Sequence, residues 1–465
     1  MQRYKYCAKN NIFAAQTVSD MKKIYIETYG CQMNVNDSEV ILSILSKVGY
    51  ERTESMEEAD IILANTCSIR ENAEQRVYGR IDVFRLEKQK RPGVIIGIVG
   101  CMAERLKDKL LDSHIVDLVA GPDSYRHLPE MVEAITPDCP QIDVQLSREE
   151  TYADITPVRM DKNGVSAYIS IMRGCNNCCS YCVVPYTRGA ERSRDPYSII
   201  REAEELLAAG YKEVSLLGQN VDSYSWKAPA DCAEHAGETM NFAQLLEKVA
   251  SISPELRVRF STSYPSDISD EVLYTMAAHE NICKHIHFPV QSGSNVMLEK
   301  MRRKYTREWY LERVAKIREV IPDCGLTTDV IAGFSGETEQ DHQDTLSLFE
   351  IVKFDAAFMF QYSERPGTLA SKKYPDDITP AEKTRRLNEI IELQGRMGAL
   401  NYRNQIGKVH KVLVEGPSKK SADELCGRAS NYMMCVWPDL THKVGDYVTV
   451  KVVDATPATL LCELV

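Results

Sequence analysis

Two stretches of this chain alternate short apolar strands with helices, and that rhythm limits the fold more than any other feature. Strands joined through helices run parallel, so they build doubly wound sheets or barrels with the helices outside. In the first stretch Ile24-Tyr-Ile26, Asp60-Ile-Ile-Leu-Ala64, Val94-Ile-Ile-Gly-Ile-Val99 and Val116-Asp-Leu-Val119 read as strands. Helices are expected from near Asp37, from Asn72 to Lys90 and from Ala103 to Leu111. In the second stretch, strands are expected to end near Met172, Leu217, Ser263, Val290, Ile331 and Tyr362. Helical patterns such as Tyr197 to Ala209 and Thr306 to Val320 fall between them. From about Asn401 the pattern becomes short alternating runs punctuated by Gly407, Gly416, Gly427 and Gly445, the grammar of a small all-β barrel resembling an oligonucleotide-binding module. The expected class is α/β: an N-terminal doubly wound parallel sheet, a central partial (βα)6 barrel and a C-terminal all-β barrel. The expected bounds are an extension over 1–21, domains over 22–138, 166–397 and 398–465, and a Pro-containing acidic linker over 139–165. Met21 is a second candidate start.

Composition narrows the setting. The chain has 465 residues, 44% hydrophobic and 26% charged, which fits a globular protein of about three domains. No window approaches the ~18 consecutive apolar residues of a membrane span, and the polar start has no secretory apolar core, so a cytoplasmic protein is expected. Fifteen cysteines in a long chain without an export signal point to metal or cluster ligation rather than disulfides. The net charge of −11 does not advertise nucleic-acid binding, nor does it exclude it, because phosphate contacts need only a local basic surface.

The cysteines carry the chemistry. Cys175, Cys179 and Cys182 form a C-x3-C-x2-C run in Gly174-Cys-Asn-Asn-Cys-Cys-Ser-Tyr-Cys182, directly after the apolar strand Tyr168-Ile-Ser-Ile-Met172. Three thiolates on one loop suit a cubane iron–sulfur cluster with one iron left open. Cys178 permits another parsing, two abutting C-x2-C pairs around zinc, but zinc sites of that kind separate their pairs by a dozen or more residues. A simple thiol loop is the third reading. Cys31, Cys67 and Cys101 each lie just beyond an expected strand of the first domain, at near-equal intervals. A parallel sheet collects the C-terminal ends of its strands at one rim, so these three are candidates for a second cluster. Buried inert thiols are the alternative.

Thr28-Tyr-Gly-Cys-Gln-Met-Asn-Val-Asn-Asp-Ser-Glu39, Asn65-Thr-Cys-Ser-Ile-Arg-Glu71, Gly100-Cys-Met-Ala103 and the Arg173–Gly189 cysteine loop resemble the radical S-adenosylmethionine methylthiotransferases, in particular their MiaB type. The C-terminal module resembles a TRAM domain. Where these relatives usually have an aromatic residue, this chain has Cys178. The resemblance implies that Cys175, Cys179 and Cys182 hold one [4Fe–4S] cluster, and that Cys31, Cys67 and Cys101 hold a second that carries the sulfur to be inserted. S-adenosylmethionine would serve as radical source and methyl donor. The implied reaction methylthiolates C2 of N6-isopentenyladenosine at position 37 of tRNA, and a radical is needed because an aromatic C–H is beyond side-chain acid–base chemistry. The base would leave its stack in a single-stranded loop, where unstacking costs least. An electron donor and a sulfur source are further expected partners, and a monomer is expected.

The same resemblance places cofactor contacts at the barrel strand ends: Tyr181 against the adenine, Gln219 and Asn220 at the methionyl amine, then Ser261, Ser263, Gln291, Ser292 and Gly333. For Tyr181 ordinary packing is the alternative, and for the strand-end polar residues loop capping. Arg188, Arg192 and Arg194 are candidates to grip a carboxylate or phosphate, with structural salt bridges as the alternative. For RNA, the C-terminal module offers Arg403, Lys408, Lys411, Lys419, Lys420 and Arg428, although its basic residues barely outnumber its acids. Arg302, Arg303 and Lys304 beside the barrel are the fallback surface.

Overall fold

The computed structural model describes residues 21–68, 71–161, 163–230 and 233–465; the segment expected as an N-terminal extension, and Ile69 and Arg70 of the second cysteine motif, lie outside the described residues. The first domain is a six-stranded parallel sheet in the order Tyr50–Arg52, Lys22–Thr28, Ile61–Thr66, Ile95–Gly100, Leu118–Ala120, Gln141–Asp143. Its inner strand Ile61–Thr66 is buried throughout, as a strand covered on both faces must be. The two outermost strands have only three residues each and no apolar pattern, so periodicity could not reveal them. One of them, Gln141–Asp143, falls inside the stretch expected as linker.

The first helix also departs from expectation. It runs Gln32–Ser46 with Cys31 as its N-cap, and so begins well before Asp37. Its first turns are polar, and Asn34, Asn36 and Asp37 are nonetheless buried. They are paired across interfaces rather than solvated, which hides a helix from any hydrophobic count. The helix expected from Ala103 likewise starts earlier, at Cys101, and passes into a 3-10 segment at Lys107.

Six parallel strands follow: Ser166–Ser170, Glu213–Leu217, Arg257–Ser261, His285–His287, Gly325–Ala332 and Ala356–Gln361. They pair as two three-stranded sheets joined by a bridge between Val258 and Ile282, which makes the partial barrel expected from the sequence. Ile169, Leu216, Val258, Ile286 and Val330 point away from the lumen into one apolar core under the outer helices. Every strand therefore aims its C-terminal end at the same mouth.

The C-terminal domain is a curled six-stranded sheet with Trp437 in its core. Among the described residues its end strands, Val409–Leu413 and Gly416–Pro417, do not pair with each other, so the expected barrel is a half-barrel. Its turn at Arg428–Met433 sits under the N-terminal ends of the barrel strands. Arg257 Nη1 donates to Arg428 O (2.7 Å), Arg259 Nη2 to Ala429 O (3.0 Å) and the Lys284 backbone N–H to Ser430 Oγ (2.9 Å). Gly325 leaves room there, since a Cβ would meet Asn431 O at 2.3 Å. Arg257 and Arg259 share Glu213 beneath this turn; burial alone would push that carboxyl up, but the two guanidiniums hold it at about 2. No helix among the described residues is long and apolar enough to cross a membrane.

Candidate functional site

The cysteine loop leaves the first barrel strand and wraps donors around its sulfurs. The backbone N–H of Asn177 points at Cys175 Sγ (3.4 Å), that of Val184 at Cys182 Sγ (3.5 Å), and Arg303 Nη1 at Cys179 Sγ (3.4 Å). One N–H per sulfur is what a loop built for thiolates provides, because such bonds spread the negative charge. Cys178 is different: it is exposed, and its Sγ lies 3.7 Å from Asn176 O, an acceptor. Burial pushes Cys175 up to about 11 and raises Cys182 further, so a metal must displace protons to bind. Among the described residues no three His, Cys, Asp or Glu side chains are arranged to hold a single metal ion.

Arg303 was read from sequence as part of an exposed basic run, and this is a correction. It is buried between the rings of Tyr264 (4.1 Å) and Tyr305 (5.1 Å), with Nη2 on Pro289 O (2.7 Å) and Nε on Tyr305 Oη (2.8 Å). A run of Arg-Arg-Lys carries no sequence signal that separates its middle residue from its neighbours.

The first domain brings its own three cysteines together at one rim. Lys22–Thr28, Ile61–Thr66 and Ile95–Gly100 are adjacent in the sheet, and Cys31, Cys67 and Cys101 follow them. Asn65 is the hub between these loops. Its Nδ2 donates to Asn34 O (2.8 Å) and Ser38 Oγ (2.9 Å), and its Oδ1 accepts from Asn34 Nδ2 (3.1 Å). Glycines let the loops close in: a Cβ on Gly30 would meet Cys67 Cβ at 2.6 Å, and one on Gly100 would meet Asn65 Oδ1 at 2.4 Å. Both occupy positive φ (142° and 91°), so the sequence needs glycine twice over.

The two cysteine sets are joined through a buried ionic seam. Asp37, fully buried on the first helix, accepts from Arg173 Nη1 (2.8 Å) and Arg188 Nη2 (2.7 Å) of the barrel domain. Burial opposes its charge, yet the two guanidiniums hold the carboxyl below its usual range. Asp123 likewise takes Arg192 Nη2 (2.7 Å), and Arg194 pairs with Glu202. The salt-bridge alternative therefore describes all three arginines. Arg192 also donates to Glu150 O, Arg188 O and Ala190 O, so four of its five N–H groups are spent within the protein.

The strand-end residues divide into spent and unspent groups. Asn220 is spent, on Asp267 (2.6 Å) and the backbone N–H of Tyr264 (3.2 Å). Ser292 is spent on Thr345 Oγ1 and Ser294 N–H. Gly333 takes φ 73° with Lys383 packed where a Cβ would stand. Gln291 also takes a positive φ (72°) and is buried, while Ser261 Oγ faces Thr262 Oγ1 (3.0 Å). Tyr181 packs its ring edge-on to Phe334 (6.5 Å) and is partly buried against Met297 and Met301. Gln219 Oε1 is unspent, buried without a hydrogen-bond partner, whereas the buried Asp222 carboxylate faces the Ser263 hydroxyl and the Tyr264 N–H. Burial raises the Asp222 carboxyl to about 7. A buried unpaired acceptor at a strand end suits a cationic ligand group, and Asp222 carried no motif that would have singled it out.

In the C-terminal domain, Lys419 and Lys420 are exposed and form no ion pair among the described residues, and Arg403 and Lys411 are exposed as well. Lys408 pairs with Asp323 (2.9 Å), and Arg428 pairs with Glu415 (2.5 Å) and packs over Tyr432.

Comparison with known proteins gives three consecutive family matches: the uncharacterized protein family UPF0004 over residues 23–121, the radical SAM superfamily over 169–349 and the TRAM domain over 403–465. Curated tRNA-2-methylthio-N(6)-dimethylallyladenosine synthases are similar along nearly the whole chain. That of Bacteroides thetaiotaomicron is 54% identical, covering 96% of this chain and 97% of its own. That of Amoebophilus asiaticus is 55% identical over 95% and 92%, and that of Christiangramia forsetii 50% over 98% and 96%. Among solved structures, the radical S-adenosylmethionine methyltransferase TsrM from Kitasatospora setae superposes with a TM-score of 0.55 at 16% identity, covering 76% of this chain and 75% of that one. The cobalamin-dependent radical enzyme OxsB does so at 0.52 and 12%, covering 80% and 56%. Both likenesses are of fold.

Proposed function

Because this chain belongs to the tRNA-2-methylthio-N(6)-dimethylallyladenosine synthases, radical S-adenosylmethionine enzymes with a TRAM domain, we propose that it methylthiolates C2 of N6-isopentenyladenosine at position 37 of tRNA through two separate cluster sites. The observation that carries the reading is the pair of cysteine triads, one with an N–H aimed at each sulfur and the other knit around Asn65. When bound, a [4Fe–4S] cluster with S-adenosylmethionine supplies a radical able to take hydrogen from a carbon that no side-chain base can deprotonate. Cys175, Cys179 and Cys182 would hold that cluster, while Cys31, Cys67 and Cys101 would hold the second, which would supply the sulfur for insertion.

The remaining residues orient. Gln219 would receive the cationic end of the cofactor, which would satisfy its unpaired oxygen, with the Asp222 and Ser263 pair beside it. Asp267 ties the cysteine loop to the second strand end by accepting from both Asn177 and Asn220, so cluster and cofactor sites are fixed to one another. Tyr181 closes the adenine side. The TRAM turn floors the barrel, and Lys419 and Lys420 remain outside as phosphate partners for the tRNA. An external electron donor and a sulfur source complete the cycle, and a tRNA enzyme of this kind works in the cytoplasm as a monomer.

The test is anaerobic reconstitution with iron and sulfide, then dithionite, S-adenosylmethionine and isopentenylated tRNA, read by nucleoside mass spectrometry. Methylthio-isopentenyladenosine is expected together with 5′-deoxyadenosine. 5′-Deoxyadenosine without the modified nucleoside would move the substrate elsewhere, and release of neither would remove the radical reading.

A further inference from the structure

The ionic seam between the two domains does not balance. Arg173, Arg188 and Arg192 face Asp37 and Asp123, and all five are buried. Three guanidiniums against two carboxylates leave one positive charge in excess, away from water, where an uncompensated charge is strongly unfavourable. Glu104 is no counter-ion for it: its contact is with Lys107 on its own helix, and burial keeps it largely protonated near neutrality. The excess sits on Arg188. Its Nη2 is taken by Asp37, its Nη1 meets no carboxylate or carbonyl, and its guanidinium lies against the thiol of Cys101 and near that of Cys31.

We propose that Arg188 is the charge-compensating residue of the first domain's cysteine triad, supplied across the domain interface by the same loop that carries Cys175, Cys179 and Cys182. This rests on the two-site reading above. An anionic thiolate-held group beside Arg188 neutralises the seam, and Nη1 gains a charged acceptor. The pairing is reciprocal: a cation next to a cluster stabilises its reduced form and raises its reduction potential. The loop of one site thereby tunes the other, and Asp37 moderates the effect from the opposite side of the guanidinium. Arg188 is thus a positioning and tuning residue that touches the group through its ligands. Arg303 stands in the same relation to Cys179, but within one domain.

The experiment is a redox titration of the full, reconstituted chain followed by electron paramagnetic resonance, with signals assigned by the C31A/C67A/C101A variant. Arg188→Gln should move the midpoint of the first-domain cluster to more negative potential and leave that of the radical-site cluster in place. Arg188→Lys, which keeps the charge, should restore most of the shift. Asp37→Asn should move the same midpoint the other way, to more positive potential, because it removes the moderating anion. A merely structural role for Arg188 predicts shifts of one sign, or of both clusters together, and either result would overturn the proposal. Iron for two clusters with both midpoints unmoved would overturn it and leave the two-site reading standing. Iron for one cluster only would remove the two-site reading itself.

Discussion

The two cysteine triads solve the same problem by opposite routes. Cys175, Cys179 and Cys182 lie on a single loop whose own backbone supplies two of the three sulfur contacts. Cys31, Cys67 and Cys101 meet only because three parallel strands end side by side and Asn65 binds their loops together. The first site is local and needs one rigid strand end to stand on; the second is a product of topology and exists only when the sheet is correctly ordered. Damage to the fold should therefore fall unequally on them.

The largest effect comes from removing the ligands themselves. Replacing Cys175, Cys179 and Cys182 by Ala should leave about half the iron of the reconstituted protein and abolish 5′-deoxyadenosine formation, because each cubane needs its own thiolates. Replacing Cys31, Cys67 and Cys101 should also remove about half, but with 5′-deoxyadenosine still produced and methylthiolation stopped. Iron counting beside product analysis reads both. Full iron in the second variant would break the comparison outright.

A sharper cut leaves every cysteine in place. Gly100→Ala forces a Cβ to within 2.4 Å of Asn65 Oδ1 and 2.8 Å of Thr66 O at a φ of 91°. Strain of that kind costs about 1–3 kcal/mol, and it falls on the hub that gathers the three loops. The variant should lose the first-domain cluster preferentially, and the radical-site cluster should keep its absorbance and its cleavage of S-adenosylmethionine. Equal loss from both sites would mean that the domains fail as one unit.

The same contrast explains how much could be read beforehand. The cysteine loop and the βα rhythm are local patterns, and both are found where the spacing placed them. The rim of Cys31, Cys67 and Cys101 followed from one topological rule. What escaped was whatever depends on burial of polar groups. The first turns of the helix after Cys31 are polar yet buried, because Asn34 bonds across to Asn65 and Asn36 Nδ2 to Tyr168 O. Arg303 read as an RNA contact, and Arg188, Arg192 and Arg194 stood open between a ligand and a salt bridge, because a charged residue in a one-dimensional string looks exposed. Tertiary pairing buries all four, and the string does not record which acid meets which base.

Within the local site the comparison predicts an absence of effect. Cys178 is exposed, with its sulfur beside an acceptor rather than a donor. Cys178→Ala should keep both clusters and nearly all activity. Loss of cluster absorbance in this variant alone would revive the parsing into two C-x2-C pairs, and with it the zinc reading.

The last expected effect concerns Glu104, a buried carboxyl behind the distributed site. It is 3% exposed, its Oε2 has no hydrogen-bond partner, and Gly121 leaves it space where a Cβ would stand 2.3 Å away. Burial pushes its carboxyl up to about 8, and Lys107 offsets this only in part. A folded-state value above the unfolded one means the protonated form is preferred on folding. Glu104's contribution to stability is thus fully present below about 4.5 and is lost as pH rises through about 8. Gln cannot ionise, so Glu104→Gln should gain on the native protein as pH climbs from 6 to 9 and level off above the folded value. The gain should reach several degrees in the apparent unfolding midpoint of the first domain, since each pH unit below the folded value is worth about 1.4 kcal/mol and each kcal/mol moves a midpoint by at least about 2 °C. Melts of the two proteins at matched pH read it. A difference that stays constant across that window would mean that Glu104 ionises normally and that the rear of the distributed site is better solvated than its packing implies.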